Sequence, residues 1–348
     1  MKKRGREESL RQQNRAEERN RRFRARLARR SKRRGRLGRV YKRIALSPRM
    51  LRAREIKLGE TFSVIRDPES AVNEMGRLFV MAGKEGWPIS IDTKSVKNIT
   101  IDALLYLLAI TNALKSMAID FDIRGELPRD PVARKLFIDS GFLNYAKPGS
   151  AEIKRQGDCV QIDCGQNVDP LIARSLCVFT MEKLGLARTK TRSLYDIVIE
   201  IITNTIQHAY DRSPEHDKWF AYARYVEEDD AVEYSILDSG LGIPFTVKKT
   251  LREKLEGVVE KFGVKLWAHD SGDSALIQSA LDGKLRTETG LAYRGKGMPI
   301  IKKYQEDGYI SDLTIVSNRG YLAYGREARS LPVGFLGTLY FWRIKRAN

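Results

Sequence analysis

The positive charge of this chain is confined to one end of it. Residues 1–54 hold 23 Lys and Arg against four acids, which is the whole of the formal net charge of +19, while residues 55–348 hold 40 of each sign. Large apolar side chains such as Phe23, Leu27 and Leu37 are thinly spaced along this arm. A segment of like charge with so little to bury does not offset the entropy of ordering its backbone. The folded part is therefore expected within residues 55–348, length enough for two domains and a sizeable core. The arm, 1–54, reads as disordered or loosely helical. Its cluster Arg29, Arg30, Lys32, Arg33 and Arg34 also suits phosphate contacts with counterion release, so nucleic acid is an expected partner. The two readings are compatible, since a disordered arm can order on its ligand. A membrane surface fits less well, because the arm lacks the aromatic and aliphatic face of an interfacial helix.

The rest of the chain excludes several classes. Its longest strongly apolar run, Ala103 to Ile110, is far short of the roughly 20 residues that span a bilayer. No apolar core follows the N-terminal charge, so a secretory signal is not expected. Cys159, Cys164 and Cys177, with His208, His216 and His269, give neither paired zinc-ligand spacing nor an even disulfide framework. A soluble, cytoplasmic protein of a reducing compartment is the simplest expectation.

Residues 55–150 alternate strands and helices. Pro88-Ile89-Ser90-Ile91-Asp92 reads as a short buried strand, and Ile101, Leu104, Leu105, Leu108 and Leu114 keep helical spacing to about Met117. A strand is expected at Ile119 to Ile123, then a helix from Val132 to Asp139 that stops at Gly141. With the turn at Asn98-Ile99-Thr100 and the ending Leu136-Phe137-Ile138-Asp139-Ser140-Gly141-Phe142, this order resembles a STAS domain, the fold of bacterial anti-sigma factor antagonists. In that family a Ser or Thr of an Asp-Ser-Ser/Thr-Gly-Leu turn accepts phosphate. Thr100-Ile101-Asp102-Ala103-Leu104 stands there, so the acceptor is not carried over. Asp102 reads either as a standing charge in its place or as an acid favourable to a helix N-terminus.

Residues 151–348 carry the motifs. Helices are expected from Val168 to about Leu186, from Thr191 to about Tyr210 and near Pro299 to Gln305. Strands are expected at Trp219–Val226 and Ala231–Leu237, with three more at the end, the last being Thr338–Ile344. In Glu200-Ile-Ile-Thr-Asn204-Thr-Ile-Gln-His208, steps of four advance about 40° around a helix, so Glu200, Asn204 and His208 form one polar stripe. Asp238-Ser239-Gly240-Leu241-Gly242 follows an apolar strand. There a carboxylate can accept from an exocyclic amine while glycines let the backbone approach a flat ligand. Arg294-Gly295-Lys296-Gly297 opens a helix, where free N–H groups suit phosphate, and Gly337-Thr338 offers a hydroxyl.

These four motifs in this order resemble the GHKL ATPase family, which unites gyrase, heat-shock chaperones, MutL and histidine kinases. The Glu/Asn helix looks most like that of the anti-sigma serine kinases. The resemblance implies ATP and Mg²⁺ as cofactors. It implies that Asn204 holds the Mg²⁺ between the phosphates and that Glu200 orients or deprotonates the attacking water or hydroxyl. Asp238, helped by Thr338, accepts the adenine amine. Gly240, Gly242, Gly295 and Gly297 let the backbone close over the nucleotide, and Arg294 or Lys296 meets the γ-phosphate. His208 reads as a nucleotide contact or as a helix residue packing on the next strand. Gly290 to Lys296 fits seven positions of a P-loop, but Gly297 stands where the Mg²⁺-binding hydroxyl belongs, so that reading fails. No histidine precedes His208, so histidine autophosphorylation is not expected.

The expected fold is α/β: a STAS-like α/β domain over 55–150, then over 151–348 a GHKL α/β sandwich with helices on one face of a mixed sheet and a lid at about 245–297. The expected function is a regulatory switch that hydrolyses ATP or transfers its γ-phosphate to a protein partner. The alternative is a nucleic-acid-binding adaptor whose GHKL domain binds nucleotide with little turnover. A homodimer is compatible with either.

Overall fold

The computed structural model describes residues 54–83, 89–116, 124–146, 155–208, 218–248, 272–284 and 297–346. The arm with Arg29, Arg30, Lys32, Arg33 and Arg34, the expected strand at 119–123, and Arg294, Gly295 and Lys296 lie outside these residues.

The centre of the molecule is an antiparallel sheet whose strands are apolar on both faces. Its strands are β6 (Arg155–Gln156), β7 (Cys159–Gly165), β8 (Trp219–Val226), β9 (Ala231–Asp238), β10 (Ser311–Ala323) and β11 (Glu327–Lys345), in the order β10-β11-β9-β8-β7-β6. Every pair in it is antiparallel, so the expected mixed sheet is corrected. The three expected terminal strands are two. Pro332, Gly334 and Gly337 read as strand breaks in the sequence, but β11 runs through them and absorbs them in irregularities of register against β10.

Alternation assigns each side chain a face. Trp219, Ala221, Tyr234, Ile236, Tyr340 and Trp342 join one buried cluster, while Phe220, Tyr222, Leu237, Val316 and Leu339 join the other. The first cluster is covered by helices. One is α5 (Pro170–Leu184), started by the Asp169 side chain accepting from Leu171 N at 2.8 Å and ended at left-handed Gly185. Others are α6 (Arg192–His208), α7 (Asp273–Leu281) and α8 (Gly297–Glu306). Leu194, Ile197, Val198, Ile201 and Ile202 put the apolar side of α6 into this cluster. The segment α7 lies in the expected lid, yet Leu276, Ile277 and Leu281 are fully buried and the helix packs on β10.

The opposite face is covered too, so helices do not lie on one side alone. It carries the block of residues 54–146. There β1 (Arg54–Lys57), β3 (Ile89–Asp92) and β5 (Arg124–Glu126) form a parallel sheet, and β2 (Thr61–Phe62) pairs with β4 (Asn98–Ile99). Its helices are α1 (Pro68–Gly83), α2 (Ile101–Ser116), α3 (Pro131–Asp139) and α4 (Phe142–Ala146). All eight residues from Ala103 to Ile110 are buried. A helix apolar all round must be enclosed, and α2 packs against α1 and against β8, β9 and β11. Hydrogen bonds cross the same boundary: the Tyr321 hydroxyl donates to Ile65 O at 3.1 Å, and Ile162 N donates to Ser140 O at 2.8 Å. The two expected domains thus share one sheet as a common wall.

Among the described residues no helix is long and apolar enough to cross a membrane.

Candidate functional site

Helix α6 leaves Glu200 and Asn204 on its polar side, half-buried, one turn apart. Burial raises the Glu200 carboxyl above its ordinary value of 4.5, and a hydrogen bond with the Asn204 side chain pulls it partly back. The N-terminus of α8 closes directly on this pair. A Cβ at Gly297 would overlap the Glu200 carboxylate where it now lies, so any larger residue would have to displace that side chain. The next residue, Met298, accepts from the Tyr340 hydroxyl at 3.6 Å. Tyr340 is buried, and its phenol is held protonated by that burial and by the negative charges of Asp238 and Glu200. Both carboxylates lie close enough to act on it.

The second half of the site is built where β9 ends against the middle of β11. Asp238, the last residue of β9, is the cross-strand partner of Thr338 in β11, and both are buried. Thr338 and Tyr340, two residues apart on a strand, share the face that α6 covers. The chain turns sharply after Asp238, whose Oδ1 accepts from Gly240 N at 2.9 Å. Gly337, at φ 82°, passes so close to the Asp238 carbonyl that a side chain there would overlap it.

Two residues that the sequence did not single out hold this turn. The Ser317 hydroxyl donates to Gly337 O at 3.1 Å, accepts from Ile243 N at 3.0 Å and lies 3.1 Å from Thr338 Oγ1. Either hydroxyl can donate to the other, and in both cases the Thr338 oxygen keeps acceptor capacity for a ligand. Asn318, at φ 50°, donates to Leu241 O at 3.3 Å and accepts from Phe245 N at 3.4 Å. Gly242, at φ 86°, has no room for a Cβ beside Asn318 and Ser317. The signal for these residues was Ser317-Asn318-Arg319-Gly320, where polar residues and glycine interrupt an apolar strand. Tyr340 and Met298 carried no signal, because each reads as core.

The structure therefore brings together Glu200, Asn204, Asp238, Gly240, Gly242, Gly297 and Thr338. His208 ends α6, and its side chain is outside the described residues. Asp102 is not a surface charge. It is 2% exposed and accepts from Val64 N at 2.6 Å and Ile65 N at 3.1 Å, so it ties the start of α2 to the loop between β2 and α1. The described residues contain no group of three or more His, Cys, Asp or Glu placed to hold a metal ion. Chemically, the site offers a half-buried carboxyl that can take a proton, an amide beside it, and a carboxylate–hydroxyl pair suited to an amine. No family model matches the chain, and no curated protein matches it.

Proposed function

We propose that the chain is an ATP-binding regulatory switch of the GHKL type that hydrolyses ATP or passes its γ-phosphate to a protein partner. The observation that carries this reading is the convergence of Glu200 and Asn204 from α6 with Asp238 and Thr338 from adjacent strands, Tyr340 being within reach of both carboxylates. In this reading Asp238 accepts the exocyclic amine of adenine and Thr338 presents an acceptor beside it. The missing side chains at Gly242, Gly297 and Gly337 let the chain close tightly on Ser317 and Asn318, on Glu200 and on Asp238, which holds these groups around the nucleotide.

The donor set fits Mg²⁺ held chiefly by the nucleotide. A single amide, Asn204, without a carboxylate cage suits an ion that keeps phosphate and water oxygens as most of its ligands. Bound there, the ion would neutralise phosphate charge. Glu200 is the proton acceptor for a water or a partner's hydroxyl, and it works only when ionised. Because burial raises its pKa, turnover should rise with pH through that raised value.

Calorimetry tests the reading. The full chain should bind ATP in the presence of Mg²⁺, and Asn204→Ala should abolish the binding by removing the metal ligand. Absence of heat with the wild type would overturn it.

The charge of the arm favours a second reading, a nucleic-acid-associated adaptor with little turnover. All nineteen net charges lie before Glu55, while the body is neutral. If the arm meets about six phosphates, log affinity for duplex should fall with log salt at a slope near −5, with little sequence preference. A chain starting at Glu55 should lose this binding and keep ATP binding. Equal duplex affinity of the two chains refutes the arm's role.

A further inference from the structure

A cavity of about 550 Å³ lies between the two layers of the fold and shares no residue with the Glu200–Asp238 site. Tyr222 and Arg224 of β8 line it from the large sheet, and residues 98–100 and helix α3 line it from the N-terminal block.

Its charge is uneven. Four cations, Arg66, Lys97, Lys135 and Arg224, stand against two carboxylates, Asp139 and Asp158. Lys97 is bonded to Glu60 at 3.0 Å, Arg224 to Glu233 at 2.9 Å and Asp158 to Lys183 at 2.7 Å. Arg66 and Lys135 are exposed and make no ion pair among the described residues, which leaves the mouth with a surplus of positive charge.

The interior points the same way. Tyr222 is 1% exposed, and its hydroxyl has only a hydrogen bond with the Cys159 thiol, a weak acceptor, and no nitrogen or oxygen partner among the described residues. Arg224 Nε is buried with no partner among them. Buried donors in this state are rare in folded proteins, and each suits an acceptor brought by a ligand. Ile99, Val132 and Leu136 add an apolar part to the lining, with Val132 left 75% exposed. A cavity of this size with a few convergent polar groups is the usual form of a small-molecule site.

We propose that this cavity binds a small phosphate monoester with an apolar body, its phosphate between Arg66 and Lys135 and an acceptor oxygen of the body at Tyr222 and Arg224. The proposal is independent of the nucleotide reading. Calorimetry with the full chain uses three probes: 4-acetylphenyl phosphate, phenyl phosphate and inorganic phosphate. The first should bind, and the Arg66→Glu/Lys135→Glu double variant should weaken it at least about tenfold, as expected for two charge-assisted contacts. Both residues are exposed, so the fold should survive, and circular dichroism checks it. Tyr222→Phe should weaken 4-acetylphenyl phosphate about three- to tenfold and leave phenyl phosphate unchanged, since only the former carries the carbonyl. No binding by the wild type, unchanged affinity in the double variant, or inorganic phosphate binding as tightly as the first probe would each overturn the proposal. So would loss of the first probe in Asn204→Ala, which would place the ligand at the other end of the sheet.

Discussion

The two faces of the large sheet are equally buried and differently used. One face meets α5, α6, α7 and α8, and the polar side of α6 brings a carboxyl and an amide to the place where β9 ends against β11. The other meets the N-terminal block through side chains such as Leu104, Leu105, Phe220 and Leu237. It reaches the candidate site through β9 and through β11, where Tyr106 stacks on Phe335 at 4.0 Å and accepts from Leu336 N at 3.4 Å. These contacts fall just before Gly337 and Thr338. The difference teaches that one face of a sheet can supply chemistry while the other fixes the strand from which that chemistry is hung.

The comparison is broken most sharply on the helical side. Glu200→Ala should keep ATP affinity and lose turnover by about 10²- to 10⁴-fold, the usual worth of a positioned proton acceptor. Steady-state assays beside calorimetry check this. Turnover at the wild-type rate would reduce Glu200 to a structural residue.

On the N-terminal side, Tyr106→Ala should cost about 3–5 kcal/mol of stability, as large-to-small changes of buried aromatics do. Urea titration should show one transition shifted as a whole, because both faces unfold with the shared sheet. Two separate transitions would show that the layers are independent.

The smallest effect sharpens the contrast. The raised pKa of Glu200 means that the folded chain holds this proton more tightly than the unfolded one. Its stabilising contribution is full below 4.5 and is lost as pH rises through the folded value. Glutamine stays neutral throughout. Glu200→Gln should therefore melt about 1–3 °C higher than the wild type above that pKa, with the gain vanishing below it. Solvent screening of the half-exposed carboxyl keeps the gain small. A melting curve displaced equally at every pH would mean that the charge is not its source.

Much of this was legible in the residues. Helical spacing located α2 and α6 to within a few residues, and the turn after Asp238 announced itself by its glycines. The pairing of Asp238 with Thr338 was anticipated as a shared role, but their direct opposition is a matter of register, which distant strands do not reveal. Burial of β9 on both sides was not written in its pattern: Val232, Tyr234 and Ile236 alternate with Glu233 and Ser235, as in a strand buried on one face, and Leu237 faces the other way into the second cluster. Periodicity states that a face is covered without naming the cover. Ser317 and Asn318 escaped for a related reason: the turn they hold is far away in the chain, Ile243 lying 74 residues from Ser317 and Leu241 77 residues from Asn318.

The shared sheet also bears on how this molecule can be taken apart. A cut near residue 150 falls between two segments that look separable in sequence. The C-terminal piece would then present Phe220, Leu237, Val316, Phe335 and Leu339 to water as one continuous surface. The N-terminal piece would expose a helix with no polar side at all. Contiguous apolar areas of that kind drive association in solution, so each half expressed alone is a recipe for aggregates. Co-expressed halves, by contrast, carry matching surfaces and the means to find one another.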